Sequence, residues 1–226
     1  MLPETRPNSL VRELLWRGDR IAEGTVQHAF VRQIADGSLP EETFLWYLAQ
    51  NALFLTGYAA ALRHSLAVGA DPPVRQALAD LEGAISDSAI GRHADEYEAR
   101  SGRCLDLSTT DAAPVTVKYI EHLFASAGPG VPVSILCSIL PGEQSYAAAG
   151  RYYGTVGLLT SDNPYCSWIE QYASGHVDEI VAGLLSLIGR AASDTDGPGR
   201  ALLETYERSA RLDAQFWLMI SEPARR

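Results

Sequence analysis

The sequence predicts an all-α protein, a single-domain helical bundle of about seven helices, and three observations carry that prediction. Apolar residues recur at helical spacing along most of the 226 residues. The Val-Ile-Thr alternation expected of strands is scarce. Breaks containing Gly and Pro separate the periodic runs, and none is long enough to be an interdomain linker.

The elements follow in order. Leu10, Leu14, Ile21 and Val26 define a first helix from Ser9, a candidate N-cap, to about Ala35. Asp36-Gly37-Ser38 ends it. Pro40 opens a second helix, with Glu41 and Glu42 where the helix dipole favours carboxylates, and this helix runs through Leu45, Leu48, Leu55, Tyr58 and Leu62 to about Val68. Asp71-Pro72-Pro73 starts a third, ending near Ser101-Gly102. Pro114 precedes a fourth with Tyr119 and Leu123, closed by Gly128-Pro129-Gly130. The fifth begins near Pro132 and must pass Pro141-Gly142, where a helix loses a hydrogen bond and tends to kink. Asn163-Pro164 opens a sixth through Trp168, Ile180, Leu184 and Ile188, and the last spans roughly Pro198 to Ile220. Residues 1–8 are polar and read as a disordered N-terminus, and the bundle domain as residues 9–222. No repeat of solenoid period is evident.

Lys and Arg number 18 against 28 Asp and Glu, a formal charge of -10, which disfavours nucleic acid because phosphates need a basic face. No apolar run is long enough to cross a bilayer, and the N-terminus has no apolar signal region. Cys104, Cys137 and Cys166 form no CxxC pair, which fits a reducing compartment better than a disulfide framework. A soluble, cytoplasmic protein with a small-molecule partner is the expectation.

Several segments, in order and spacing, carry a family resemblance. They are His28-Ala29-Phe30, Asp36-Gly37-Ser38-Leu39-Pro40, Tyr47-Leu48-Ala49-Gln50-Asn51, Pro114 with Thr116 and Tyr119, Leu140-Pro141-Gly142 with Tyr146, Asn163-Pro164-Tyr165 and Phe216-Trp217. Together they resemble the TenA (thiaminase II) family. The resemblance implies a heme-oxygenase-like helical bundle, a homodimer or homotetramer, no cofactor, and a site for an aminopyrimidine. In that family a Cys adds to the ring, a Glu grips its amidine edge and moves protons, an Asp positions the amino group, and tyrosines line the cavity.

Carried over position by position, Tyr58, Tyr119, Tyr146 and Tyr172 match cavity aromatics. The Asp position holds Asn51, a nearby Tyr position holds Phe54, the Cys position holds Gly142, and the Glu position holds Asp213. Glycine offers no nucleophile. Asp213 is one methylene shorter than Glu, so its carboxylate would stop short of the ring. Glu143, beside Gly142, either activates water as a general base or turns about 100° away from the cavity on its helix. The catalytic candidates are therefore Asp213 and Glu143, with Asn51, Phe54, Tyr58, Tyr119, Gly142, Tyr146 and Tyr172 binding substrate. Cys137, five residues before Gly142, reads as a buried, inert thiol.

The leading functional expectation is a protein that binds a small aromatic or heteroaromatic ligand and hydrolyses an aminopyrimidine or thiamin-related compound without a Cys. The alternatives are a non-hydrolytic or recruited member and a metal-dependent oxidase. His93-x-x-Glu96 and His176-x-x-Glu179 each place a ligand pair on one helix face. Their charged neighbours Arg92, Asp95, Glu98 and Asp178 point to wet faces, and no metal is expected. His28 matches the family's His-Pro-Phe segment better than a heme ligand.

Overall fold

The computed structural model describes residues 9–68, 72–128, 133–156, 162–193 and 199–221. Among these, every regular element is helical. They are α1 (Ser9–Gln27), α2 (Ala29–Asp36), α3 (Glu41–Val68), α4 (Pro72–Ala84), a π-helical turn (Ile85–Ala89), α5 (Ile90–Ser101), α6 (Pro114–Ser126), α7 (Val133–Val156), α8 (Cys166–Ala173), α9 (His176–Ser193) and α10 (Gly199–Ser221). The expected disordered segment 1–8 and residue 222 lie outside the described residues.

Three of the seven predicted helices are divided, each for a local reason. The first breaks at His28, whose extended backbone (φ -67°, ψ 136°) separates α1 from α2. The third carries the π-helical turn between α4 and α5. The sixth breaks at Gly175, whose φ of 83° is open to glycine and strained for other residues. Ser9 is itself the first residue of α1.

Pro141 leaves α7 continuous from Val133 to Val156. It has no N–H for the carbonyl one turn earlier. Burial against six other helices, chiefly α1, α8, α9 and α10, offsets that loss and makes α7 the axis of the bundle. Nearby hydroxyls take up main-chain carbonyls: Ser145 donates to Gly142 O at 2.9 Å, and Ser209 of α10 donates to Ser138 O.

Buried amides fix the connections that carry site residues. Gln50 of α3, fully buried, donates to Asp111 O (2.9 Å) and accepts from Ala113 N (2.9 Å) and Thr116 Oγ1 (2.8 Å). It therefore staples the start of α6, and with it Tyr119, to α3. Asn163 donates to Ile34 O and Ala35 O, both at 3.0 Å, tying the segment before α8 to carbonyls of the last turn of α2.

The core has two parts. An aliphatic cluster around Leu14, Leu62, Leu78, Leu123, Leu136 and Ile188 joins α1, α3, α4, α6, α7 and α9. An aromatic cluster around Phe30, Phe44, Tyr47, Tyr153, Trp168 and Trp217 joins α2, α3, α7, α8 and α10. The cavity described next lies where these two clusters meet.

Candidate active site

A cavity of 770 Å³ opens between α3, α4, the π-helical turn, α5, α6, α7, α8, α9 and α10. Asn51, Phe54, Tyr58, Tyr119, Gly142, Glu143, Tyr146, Tyr172 and Asp213, all nine residues singled out in the sequence, line it. Glu143 has not turned away. Its neighbour in contact is Tyr58, whose hydroxyl donates to Glu143 Oε1 at 3.2 Å.

Glu143 and Asp213 are the only acids well inside the cavity wall among the described residues; Glu170, also on the lining, is solvent-exposed. Burial raises Glu143 to about 7, against the opposing hydrogen bond from Tyr58. Burial likewise raises Asp213 to about 7; hydrogen bonds from Ser145 and Trp217 pull it down, and the charge of Glu143 pushes it further up. Among the described residues Arg92 is the one Arg or Lys on the lining, and it is exposed, so none of them gives either acid a buried cation for a partner. A charge on Glu143 therefore opposes ionisation of Asp213, as like charges facing one site do.

Asp213 reaches the cavity despite its short side chain. Oδ2 accepts from Trp217 Nε1 at 3.2 Å. Oδ1 points to the space beside Gly142: a Cβ built there would stand 3.7 Å from Asp213 Oδ1 and 3.3 Å from the Tyr119 hydroxyl. The missing side chain at position 142 and the short one at 213 thus leave room at the same spot.

Asn51 is matched to its neighbours as an amide. Its Nδ2 donates to His93 Nε2 at 2.8 Å, and His93 Nδ1 donates to Ala89 O at 2.8 Å. Burial lowers His93 to about 4, so the ring is neutral at pH 7 and Nε2 accepts. Nδ2 also donates to the Tyr47 hydroxyl (3.4 Å), which bonds the Tyr146 hydroxyl (3.2 Å), which returns to Asn51 Oδ1 (3.5 Å). A carboxylate at position 51 has no proton to donate to a neutral His93.

The aromatic wall is tilted and stacked. Phe54 lies 4.7 Å from Tyr119 and 5.8 Å from Phe216, and Tyr146 stacks on Tyr172 at 5.2 Å. Burial holds the phenols of Tyr58, Tyr119, Tyr146 and Tyr172 far above their usual range, so they stay protonated.

His93 corrects one expectation. Its charged neighbours predicted a wet face, yet it is only 4% exposed. Arg92, Asp95 and Glu98 are indeed exposed, but His93 lies on a different face of α5 and turns inward to Asn51 of α3. Tyr47 was also missed as a site residue; its place one turn before Asn51 was the available signal. His176 is exposed, and no group of three or more His, Cys, Asp and Glu among the described residues is arranged to hold a metal. Cys137 is fully buried in the aliphatic cluster, and burial pushes its thiol up to about 12. No helix among the described residues is long and apolar enough to cross a membrane.

This arrangement has relatives. An aminopyrimidine aminohydrolase of Halalkalibacterium halodurans is 28% identical over 215 residues, covering 93% of this chain and 95% of that protein. The aminopyrimidine aminohydrolase of Bacillus subtilis is 25% identical, covering 87% and 83%. Among solved structures, the TenA homologue from P. horikoshii superposes with a TM-score of 0.81 at 24% identity, covering 94% of this chain and 98% of its own. That likeness bears out the predicted all-α bundle. The profile of one family matches residues 17–222, nearly the whole chain and every site residue described above, and on that match the chain belongs to the TENA/THI-4/PQQC family.

Proposed function

We propose that this protein binds an aminopyrimidine-type ring and hydrolyses a carbon–nitrogen bond on it without a covalent intermediate. The observation that carries this reading is the pair of buried carboxyl groups, Glu143 and Asp213, in a phenol-lined cavity where no described residue is a buried cation that neutralises them. The ligand must supply the positive or donor edge, and an aminopyrimidine has one. The relatedness to aminopyrimidine aminohydrolases supports the same ligand class.

Asp213 Oδ1 receives the ring's N–H edge, and the stacked Tyr146 and Tyr172 hold its face. The space beside Gly142 admits water rather than a thiol. Glu143 takes one proton from that water as its oxygen bonds to carbon. The carbon–nitrogen bond breaks, and the amine leaves with a proton returned from the carboxyl pair.

The test is calorimetry and amine release with a panel of aminopyrimidines. Asp213→Asn is expected to weaken ring binding by about 10–100-fold, the cost of losing a charged hydrogen-bond acceptor. Absence of binding by every aminopyrimidine sinks the reading. Binding without turnover leaves a non-hydrolytic binder.

Iodoacetamide treatment of the folded protein is expected to leave turnover unchanged. Cys104 is exposed and Cys166 half-buried, neither on the cavity lining, and Cys137 is buried with its thiol protonated. Loss of activity in Cys137→Ser, with the fold intact, would show that a thiol does serve the reaction.

A further inference from the structure

The cavity exceeds what one substituted ring fills. At 770 Å³ it lies in the upper part of the range for small-molecule sites, about 300–1,000 Å³. Its lining is also divided. Asn51, Tyr146, Tyr172 and the two carboxyl groups supply polar wall, and Leu55, Leu81, Ile85, Leu123, Ile139 and Ile180 supply aliphatic wall.

Helical register sets the division. Leu123 stands one turn beyond Tyr119 on α6, Ile139 one turn before Glu143 on α7, and Leu55 one turn beyond Asn51 on α3. One turn is about 5.4 Å, so the same step on three helices moves from polar to aliphatic wall. The aliphatic residues belong to, or pack on, the aliphatic core cluster, and Tyr146 and Tyr172 pack on the aromatic one. Gly142 has no side chain to wall the cavity off beside Asp213 and Tyr119.

We propose that the aliphatic wall forms a second subsite for an apolar substituent on the ring. The ligand class is then a polar N-heteroaromatic ring with an extended alkyl or aryl tail. This inference rests on the ring-binding reading above. Its physical basis is simple. Six aliphatic side chains offer water no hydrogen bonds, so a tail that displaces water from this lobe gains the full benefit of apolar burial.

The experiment is calorimetry with 4-aminopyrimidine and its 5-propyl and 5-hexyl derivatives, with n-butylbenzene as a probe lacking the polar edge. Affinity is expected to rise about threefold per added methylene as the tail enters the lobe. Ile180→Asp, and Leu81→Trp as a variant that fills the lobe without adding charge, are expected to abolish that dependence. Both should leave the affinity for 4-aminopyrimidine within about twofold. A series in which 4-aminopyrimidine binds and the alkyl chains add nothing overturns this inference and leaves the ring reading standing. Butylbenzene bound by the wild type and lost in both variants supports the lobe even if every aminopyrimidine fails. Failure of butylbenzene and of all three pyrimidines overturns both.

Discussion

Glu143→Gln is expected to reduce aminopyrimidine turnover by about 10²–10⁴-fold while ring affinity changes little, because a positioned general base is worth that much and Asp213 is left to hold the ring. Gln keeps the length and the hydrogen bond with Tyr58 but cannot accept the proton of water. The pH profile gives a second readout. A base raised to about 7 is ionised only above that value, so turnover should climb as pH rises from about 6 to 8. The Gln variant should lack this rise. Stability should move the opposite way. Glu143 and Asp213 both have folded values raised above their ordinary 4.5 and 3.8, so the native state binds more protons than the unfolded chain between about pH 4 and 7. Stability is therefore greatest at the acid end of that window and declines as pH rises through it. Glu143→Gln should flatten the decline. Turnover within about threefold of wild type would remove Glu143 from the mechanism.

The legibility of this site in the sequence followed the regularity of its helices. Tyr119, Tyr146, Phe216 and Asp213 sit on uninterrupted helices, where motif order and a 100° step place them together. The even step left Glu143 ambiguous, because one residue of offset from Gly142 is the difference between facing in and facing out. A half-buried wall accommodates both: positions 142, 143 and 146 all line the cavity. His93 was misread because charged sequence neighbours report on the outer faces of α5, whereas its own ring is buried against Asn51. Asn51 looked like a lost acid until its partner was known. Beside a neutral His93 the amide is the residue that can donate to Nε2 and accept from Tyr146 at once. At 213 the shorter side chain has one oxygen on Trp217 and the other toward the space that Gly142 leaves, a placement that sequence spacing does not encode.

The largest expected effect on stability is at Gly150, on the face of α7 that meets the end of α8. A Cβ added there would overlap the Tyr172 carbonyl, and its next-nearest atom would be the carbonyl carbon at 2.8 Å. Both are main-chain atoms, which cannot swing aside as a side chain can. Replacing glycine by alanine inside a helix normally stabilises by about 1 kcal/mol. Overpacking against a fixed backbone costs about 1–3 kcal/mol and sometimes more, so the clash wins. Gly150→Ala is expected to destabilise by about 3 kcal/mol, a fall in Tm of roughly 6–12 °C for a chain of this size. Gly183→Ala on α9 is the control: nothing lies within 4 Å of its added Cβ, and its Tm should rise by roughly 2–4 °C. The clash also has a functional reach. Moving the α8 end shifts Tyr172, which stacks on Tyr146 at 5.2 Å and lines the cavity, so surviving Gly150→Ala protein should bind the ring more weakly than wild type. Equal, positive Tm shifts for the two variants would show that α7 and α8 do not approach this closely, and the wall that holds the ring would have to be redrawn.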